Sequence, residues 1–253
     1  MTPYTDINNL INIILQRSKV IFGENLVGVY LSGSLSYGDF RTDSSDIDLV
    51  VVIKHIAGAQ EIGLLRQLFL EIAKRDKKWS DRLECAFVPI EIMDSLLPPK
   101  LPRPYFGGGV FYAKAPYGNE WIINQYLLYH HAIALYGPAY KKLIAPIDIA
   151  EVQKACKRDL LEEWEPKIRD PIWLANSHYQ AYIVLNLCRI LYTVLRGATA
   201  SKKISAQWVR ETYGFEWKYL IDAAENWHYG IEMREKESIT GFINFAIAKV
   251  NAN

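Results

Sequence analysis

Cysteine is scarce in this chain: Cys85, Cys156 and Cys188 are the whole complement in 253 residues. They form no CxxC metal pair, and an odd, scattered set is no disulfide framework, so a reducing compartment, the cytoplasm, is the expected setting. Histidine is nearly as rare, and the His130-His131 pair belongs to no HExxH-like ligand spacing. No apolar run is long enough to span a bilayer, and no signal peptide is visible. Net charge is missing too. Twenty-nine basic residues against 28 acidic ones leave +1, which offers no global field for a nucleic-acid backbone. The sequence therefore excludes a membrane span and argues against DNA or RNA as the main partner.

What the chain does have is apolar mass: 50% hydrophobic and 13% aromatic residues, enough for a substantial core and too much for wholesale disorder. Asp6 is placed to cap an amphipathic helix running to about Val20, with Ile7, Leu10, Ile11 and Ile14 on one face. Leu26–Leu31 reads as a strand, Gly33–Ser45 as loop or short helix, and Asp46–Ile53 as a second strand buried on both faces at its apolar end. Gly58–Lys74 has helical spacing, and Leu83–Ile90 resembles a third strand ending near Pro89. Pro98, Pro99, Pro102, Pro104 and the triple glycine Gly107–Gly109 predict a connection or a substrate-facing loop without regular structure. Asn119–Leu135 reads as a helix stopped by Gly137-Pro138. Beyond Asp148 the pattern is helical only, through Asp148–Glu165, Ser177–Leu195, Ser201–Thr212, Trp217–Trp227 and Glu235–Val250. An α+β half is thus followed by an all-helical half.

The stretch LSGSLSYGDFRTDSSDIDLVVV, residues 31–52, carries the chemistry. Alternation along a strand puts Asp46 and Asp48 on one face with Ile47 on the other. Two such carboxylates repel unless a hard cation bridges them, and Mg²⁺ commonly takes one or two carboxylates plus substrate phosphates. Gly33-Ser34 complements them, because glycine lets the backbone approach a phosphate and serine adds a hydroxyl and an N–H. No Walker loop is present. The plainer readings are a strand-start turn for Asp46 and Asp48, and an ordinary Gly-Ser turn upstream.

Gly-Ser, about a dozen residues and then Asp-x-Asp resembles the signature of the DNA polymerase β-like nucleotidyltransferases. Residues 182–208, YIVLNLCRILYTVLRGATASKKISAQW, resemble the helical motif of the streptomycin and spectinomycin adenylyltransferases. The resemblance implies an α+β fold, with a mixed-sheet nucleotidyltransferase domain over 1–145 and an all-helical domain over 146–253 that closes on nucleotide and substrate. It implies Asp46 and Asp48 as catalytic carboxylates and, with Glu84, as ligands of two Mg²⁺ ions. It further makes Glu84, which follows Leu83, the general base. Gly33 and Ser34 would bind the nucleotide, with Arg189 and Lys202 on the triphosphate and Lys203 adjacent.

The implied reaction transfers AMP from ATP to a hydroxyl of an aminoglycoside or aminocyclitol, with release of pyrophosphate, by a monomer. Another small-molecule or protein acceptor, or a non-catalytic nucleotide-binding module, are the alternatives. Two stretches depart from the family. Where relatives carry a Y-G-E-W-like segment this chain has YFGGGVFY, residues 105–112, and NSHYQAY, residues 176–182, offers no Asp or Glu. Glu162, Glu163, Glu165 and Asp170 are the nearby acidic candidates for a cationic acceptor. Read without the family, Glu84 is a solvent-facing strand residue, Arg189 a snorkelling one and Lys202-Lys203 a solvated helix start. His130, His131 and His178 are then structural histidines, Tyr179 and Tyr182 core or interface, and Trp164, Trp173, Trp208, Trp217 and Trp227 core anchors.

Overall fold

A computed structural model describes residues 2–170 and 172–252. Its contacts divide the chain into one unit of Met1–Phe40 with Ser45–Pro146 and a second of Arg41–Ser44 with Ile147–Asn253.

The first unit opens with α1 (Thr5–Phe22), whose Ile7, Leu10, Ile11 and Ile14 are buried as their helical spacing requires. Asp6 is not its cap. Tyr4 holds that position without a side-chain bond, and the Asp6 carboxylate instead accepts from Trp79 Nε1 at 2.6 Å. There follow β1 (Leu26–Ser32), α2 (Gly33–Tyr37), β2 (Ile47–Ile53), α3 (Ala59–Arg75), α4 (Lys77–Ser80), β3 (Leu83–Pro89), β4 (Arg103–Gly107), β5 (Val110–Ala115), α5 (Trp121–His131) and β6 (Ile133–Tyr136). The strands form a mixed sheet in the order β5-β4-β3-β2-β1-β6, with β2 and β3 parallel and every other pair antiparallel.

Period-two alternation sorts the sheet into two faces. Val29 and Leu31, then Ile47, Leu49, Val51 and Ile53, then Leu83, Cys85 and Phe87, and finally Phe106, share one core with α1 and α3. Ser32, Asp48, Glu84, Tyr105 and Gly107 therefore stand on the opposite face. Removing so many β-branched and aromatic side chains from water, at about 1.5–3 kcal/mol each, outweighs the cost of holding acidic residues among these strands.

Two expectations fail here. The proline- and glycine-rich connection contains the β4–β5 hairpin, in which Gly108 and Gly109 turn with φ of 58° and 75°, the left-handed pair a two-residue hairpin turn demands. Phe106 and Phe111 on its strands stack on Phe69 at 4.2 and 5.8 Å, a long-range contact that no local pattern reveals. The helix expected over Asn119–Leu135 ends at His131, and Ile133–Tyr136 becomes an edge strand on β1. An available sheet edge overrides the local helical preference there.

The second unit is all helical. In it α6 (Ile149–Arg158) runs through a π-helical stretch, Asp159–Trp164, into α7 (Glu165–Lys167). Then come α8 (Ser177–Arg196), α9 (Lys202–Tyr213), α10 (Phe215–Asn226) and α11 (Lys236–Asn251). The caps explain the starts and stops. Asn176 accepts from His178 N and Tyr179 N, Ser201 from Ile204 N, and Gly197 ends α8 at φ 65°. Arg210 clamps α9 to α10 through Asp222, at 3.0 Å, and Glu225. Among the described residues no helix is long and apolar enough to cross a membrane.

Candidate active site

The site is built by sheet register. In the antiparallel ladder Ser32 pairs with Asp48, and in the parallel one Asp48 pairs with Glu84. Two carboxylates from different strands therefore stand side by side on the face away from the helical core. Glu84 is exposed and Asp48 half-buried. Like charges held this close repel unless hydrogen-bond donors or a cation offset them.

Gly33 meets Asp48 directly. It opens α2 with φ 61°, and a Cβ built on it would overlap the Asp48 carboxylate. Glycine is required twice over at this position, for the backbone angle and for the space. Ser36 Oγ donates to Gly33 O at 2.8 Å and Gly38, at φ 85°, ends the short helix. Ser34 follows Gly33 in the first turn of α2, and its carbonyl accepts from Gly38 N and Asp39 N. The small-residue turn and the acidic strand are thus brought together.

Asp46 lies one residue before β2, outside the strand in which it was expected. Its place is fixed by Arg82, 5% exposed, whose Nε lies 3.8 Å from Asp46 Oδ1 and whose Nη2 donates to Ser45 O. The Arg82 guanidinium also covers the Trp79 ring at 4.7 Å, and Arg82 O accepts from Ile47 N at 2.8 Å. A single buried arginine thus anchors the approach to β2. Its only sequence signal is its position just before a strand.

Tyr105 was missed because its segment read as loop. On β4 it pairs with Ala86, two residues beyond Glu84 on the same face of β3, and its phenol lies close enough to Glu84 for that carboxylate's charge to act on it. Burial first, then the negative charges of Glu84 and Asp48, push this phenol well above its ordinary value of 10.0, so it stays a proton donor.

Arg189 and Lys202 belong to the second unit. Arg189 is half-buried on α8, near enough to Cys156 on α6 for its charge to act on that thiol. Lys202 opens α9 with its ammonium 4.9 Å from the centre of the Tyr182 ring. Tyr182 lies two helical turns before Arg189, so the two share a side of α8. Around them is an aromatic cluster. Tyr179 stacks on Trp173 at 4.8 Å and 9°, and Trp164 lies 5.9 Å from Tyr182. His178 packs against Trp227 at 5.3 Å and Tyr229 at 5.4 Å. Tyr179 and Tyr182 are exposed, so they present ring faces as well as packing.

Asp46, Asp48 and Glu84 supply oxygen donors only, the chemistry a hard Mg²⁺ takes, and the bare Gly33 backbone leaves space beside Asp48. Among the described residues no cluster of three or more His, Cys, Asp or Glu side chains is gathered tightly enough to hold a metal alone.

Comparison with known proteins agrees with this architecture. Residues 7–103 match the family described as a nucleotidyltransferase domain, and residues 142–249 match the aminoglycoside adenylyltransferase C-terminal domain. A spectinomycin 9-adenylyltransferase of Staphylococcus aureus is 25% identical over 85% of this chain and 83% of its own length. An aminoglycoside (3'') (9) adenylyltransferase of Klebsiella pneumoniae is 26% identical over 89% of this chain and 88% of its own. The crystal structure of a spectinomycin adenyltransferase from Enterococcus faecialis, with ATP and spectinomycin, has the same fold, with a TM-score of 0.75 at 20% identity. The likeness covers 96% of this chain and 99% of that one. Two matched domains in order, over a sheet that carries the acidic pair, make this chain an adenylyltransferase of the aminoglycoside adenylyltransferase family.

Proposed function

We propose that the enzyme transfers AMP from Mg·ATP to a hydroxyl of an aminoglycoside or aminocyclitol of the spectinomycin or streptomycin type, releasing pyrophosphate. The observation that carries this reading is the in-register pair Asp48 and Glu84 beside the bare backbone of Gly33. Glu84 takes the proton of the acceptor hydroxyl as the oxygen attacks the α-phosphorus. The new O–P bond forms as the bond to the β-phosphate bridging oxygen breaks, and the proton later passes to solvent.

Asp46 and Asp48, with Glu84, would hold Mg²⁺. When bound, the metal neutralises charge on the phosphates and on the attacking and leaving oxygens. Gly33 and Ser34 receive the phosphates at the turn, and Arg189 and Lys202 neutralise the triphosphate, the arginine in bidentate fashion and the lysine as a point charge. Residues 1–145 are then the catalytic domain and 146–253 the closing domain. Most of the rate enhancement would come from positioning and charge stabilisation. The three buried free thiols suit a reducing cytoplasm.

The test is pyrophosphate release from Mg·ATP across a panel of aminoglycosides and aminocyclitols. At least one acceptor should give turnover. Silence across the panel while ATP still binds would overturn the assignment in favour of a different acceptor or a binding module.

A further inference from the structure

We infer that Tyr105, lying over the bare backbone of Gly107, is a positioning residue that fixes the orientation of the Glu84 carboxylate. The inference rests on the proposed role of Glu84 as base.

Side chains on a strand stand roughly perpendicular to the sheet. Tyr105 leans along its own strand instead. A Cβ on Gly107 would come within 2.6–2.8 Å of Tyr105 Cε1, Oη and Cζ, so the ring lies where a residue-107 side chain would stand. Gly107 is not among the glycines with positive φ, and its backbone conformation does not call for glycine. The ring calls for it.

The β3–β4 register pairs Cys85 with Phe106 and Ala86 with Tyr105, and one further step sets Gly107 beside Glu84. Leaning over Gly107 therefore carries the phenol beside Glu84, close enough for the carboxylate's charge to act on it, and the contact we infer there is a hydrogen bond donated by the hydroxyl. The ring is held from other directions by Tyr112, at 6.4 Å between centroids, and by the Arg103 guanidinium at 5.3 Å. A glutamate side chain has three rotatable bonds and so several rotamers to choose among. One donated hydrogen bond selects among them and leaves carboxylate lone pairs for the acceptor hydroxyl.

A plain structural reading competes, since an aromatic ring over a strand glycine also fills space. The same sheet holds that case. Tyr30 lies over Gly28, and its hydroxyl donates to Pro138 O at 2.9 Å, with no carboxylate partner. Tyr30 is therefore the internal control.

The experiment measures steady-state pyrophosphate release by the full chain with Mg·ATP and spectinomycin or streptomycin. The variants are Tyr105→Phe, Gly107→Ala, their double variant, Tyr30→Phe and Glu84→Gln. Tyr105→Phe should lower kcat about ten- to a hundredfold, the worth of one hydrogen bond to a charged group, with both KM values within about twofold of the parent. Gly107→Ala should reproduce that loss, and the double variant should add nothing to it. Tyr30→Phe should lower Tm and leave kcat unchanged.

Parental kcat in Tyr105→Phe, or additive losses in the double variant, would overturn the positioning role. Should Gly107→Ala not fold, Tyr105→Phe, which removes a single oxygen, decides the matter alone. Full activity in Glu84→Gln, or no turnover of either acceptor by the parent, would overturn the base assignment itself. An inactive Glu84→Gln beside a fully active Tyr105→Phe would sink only the role of Tyr105.

Discussion

The Asp48 carboxylate occupies the space in which a side chain on Gly33 would begin, so the turn and the acidic strand fit only while residue 33 is glycine. Gly33→Ala must strain a backbone held at φ 61° and also displace the carboxylate. It should cost about 1–2 kcal/mol in stability and lower turnover by about 10²-fold, because displacement of a reacting group is felt steeply in rate. Thermal unfolding and pyrophosphate release on the same sample check both.

Asp48 and Glu84 stand side by side, yet the proposed chemistry gives them different work. Asp48→Asn should abolish transfer and weaken Mg·ATP binding together. Glu84→Gln should retain Mg·ATP binding, measured by calorimetry, and lose turnover. Ordinary activity in either variant would contradict the assigned role.

Arg82 is buried with its charge directed at Asp46 and its backbone bonded to Ile47. Arg82→Met keeps much of the volume over Trp79 and removes the charge. The loss should be about 1–3 kcal/mol in denaturant unfolding, below that of a fully buried pair because Asp46 is partly exposed. Turnover should fall as well, since Asp46 loses its anchor.

The Asp6–Trp79 bond gives a pH signature. The indole N–H, as the leading cause, holds the Asp6 carboxyl below its ordinary value of 3.8. A depressed acid contributes stability above its unfolded pKa and loses it as pH falls through the folded one. The Tm gap between the parent and Asp6→Asn should thus be present near neutrality and close below about pH 3.8. Because Asp6 is exposed, the gap should correspond to no more than about 1 kcal/mol. A gap that stayed constant with pH would contradict the link.

The elements legible in the residues were those whose patterns are local. The buried faces of α1 and α3, the strands around Leu26, Ile47 and Leu83, and the capped helices after Asp148 all follow from periodicity and caps. The hairpin of β4 and β5 was hidden because its prolines and glycines resemble a loop, and its stability lies in stacking on Phe69. Edge strand β6 was hidden because Ile133–Tyr136 takes its conformation from β1.

By itself the sequence determined which residues carry charge beside strands and which glycines can turn, because alternation and backbone sterics act over a few residues. Only the tertiary structure decided that Asp48 stands beside Glu84, that Arg82 faces Asp46 and that Tyr105 reaches Glu84 across Gly107. Strand register and side-chain lean join positions tens of residues apart, and the packing of the whole sheet sets them.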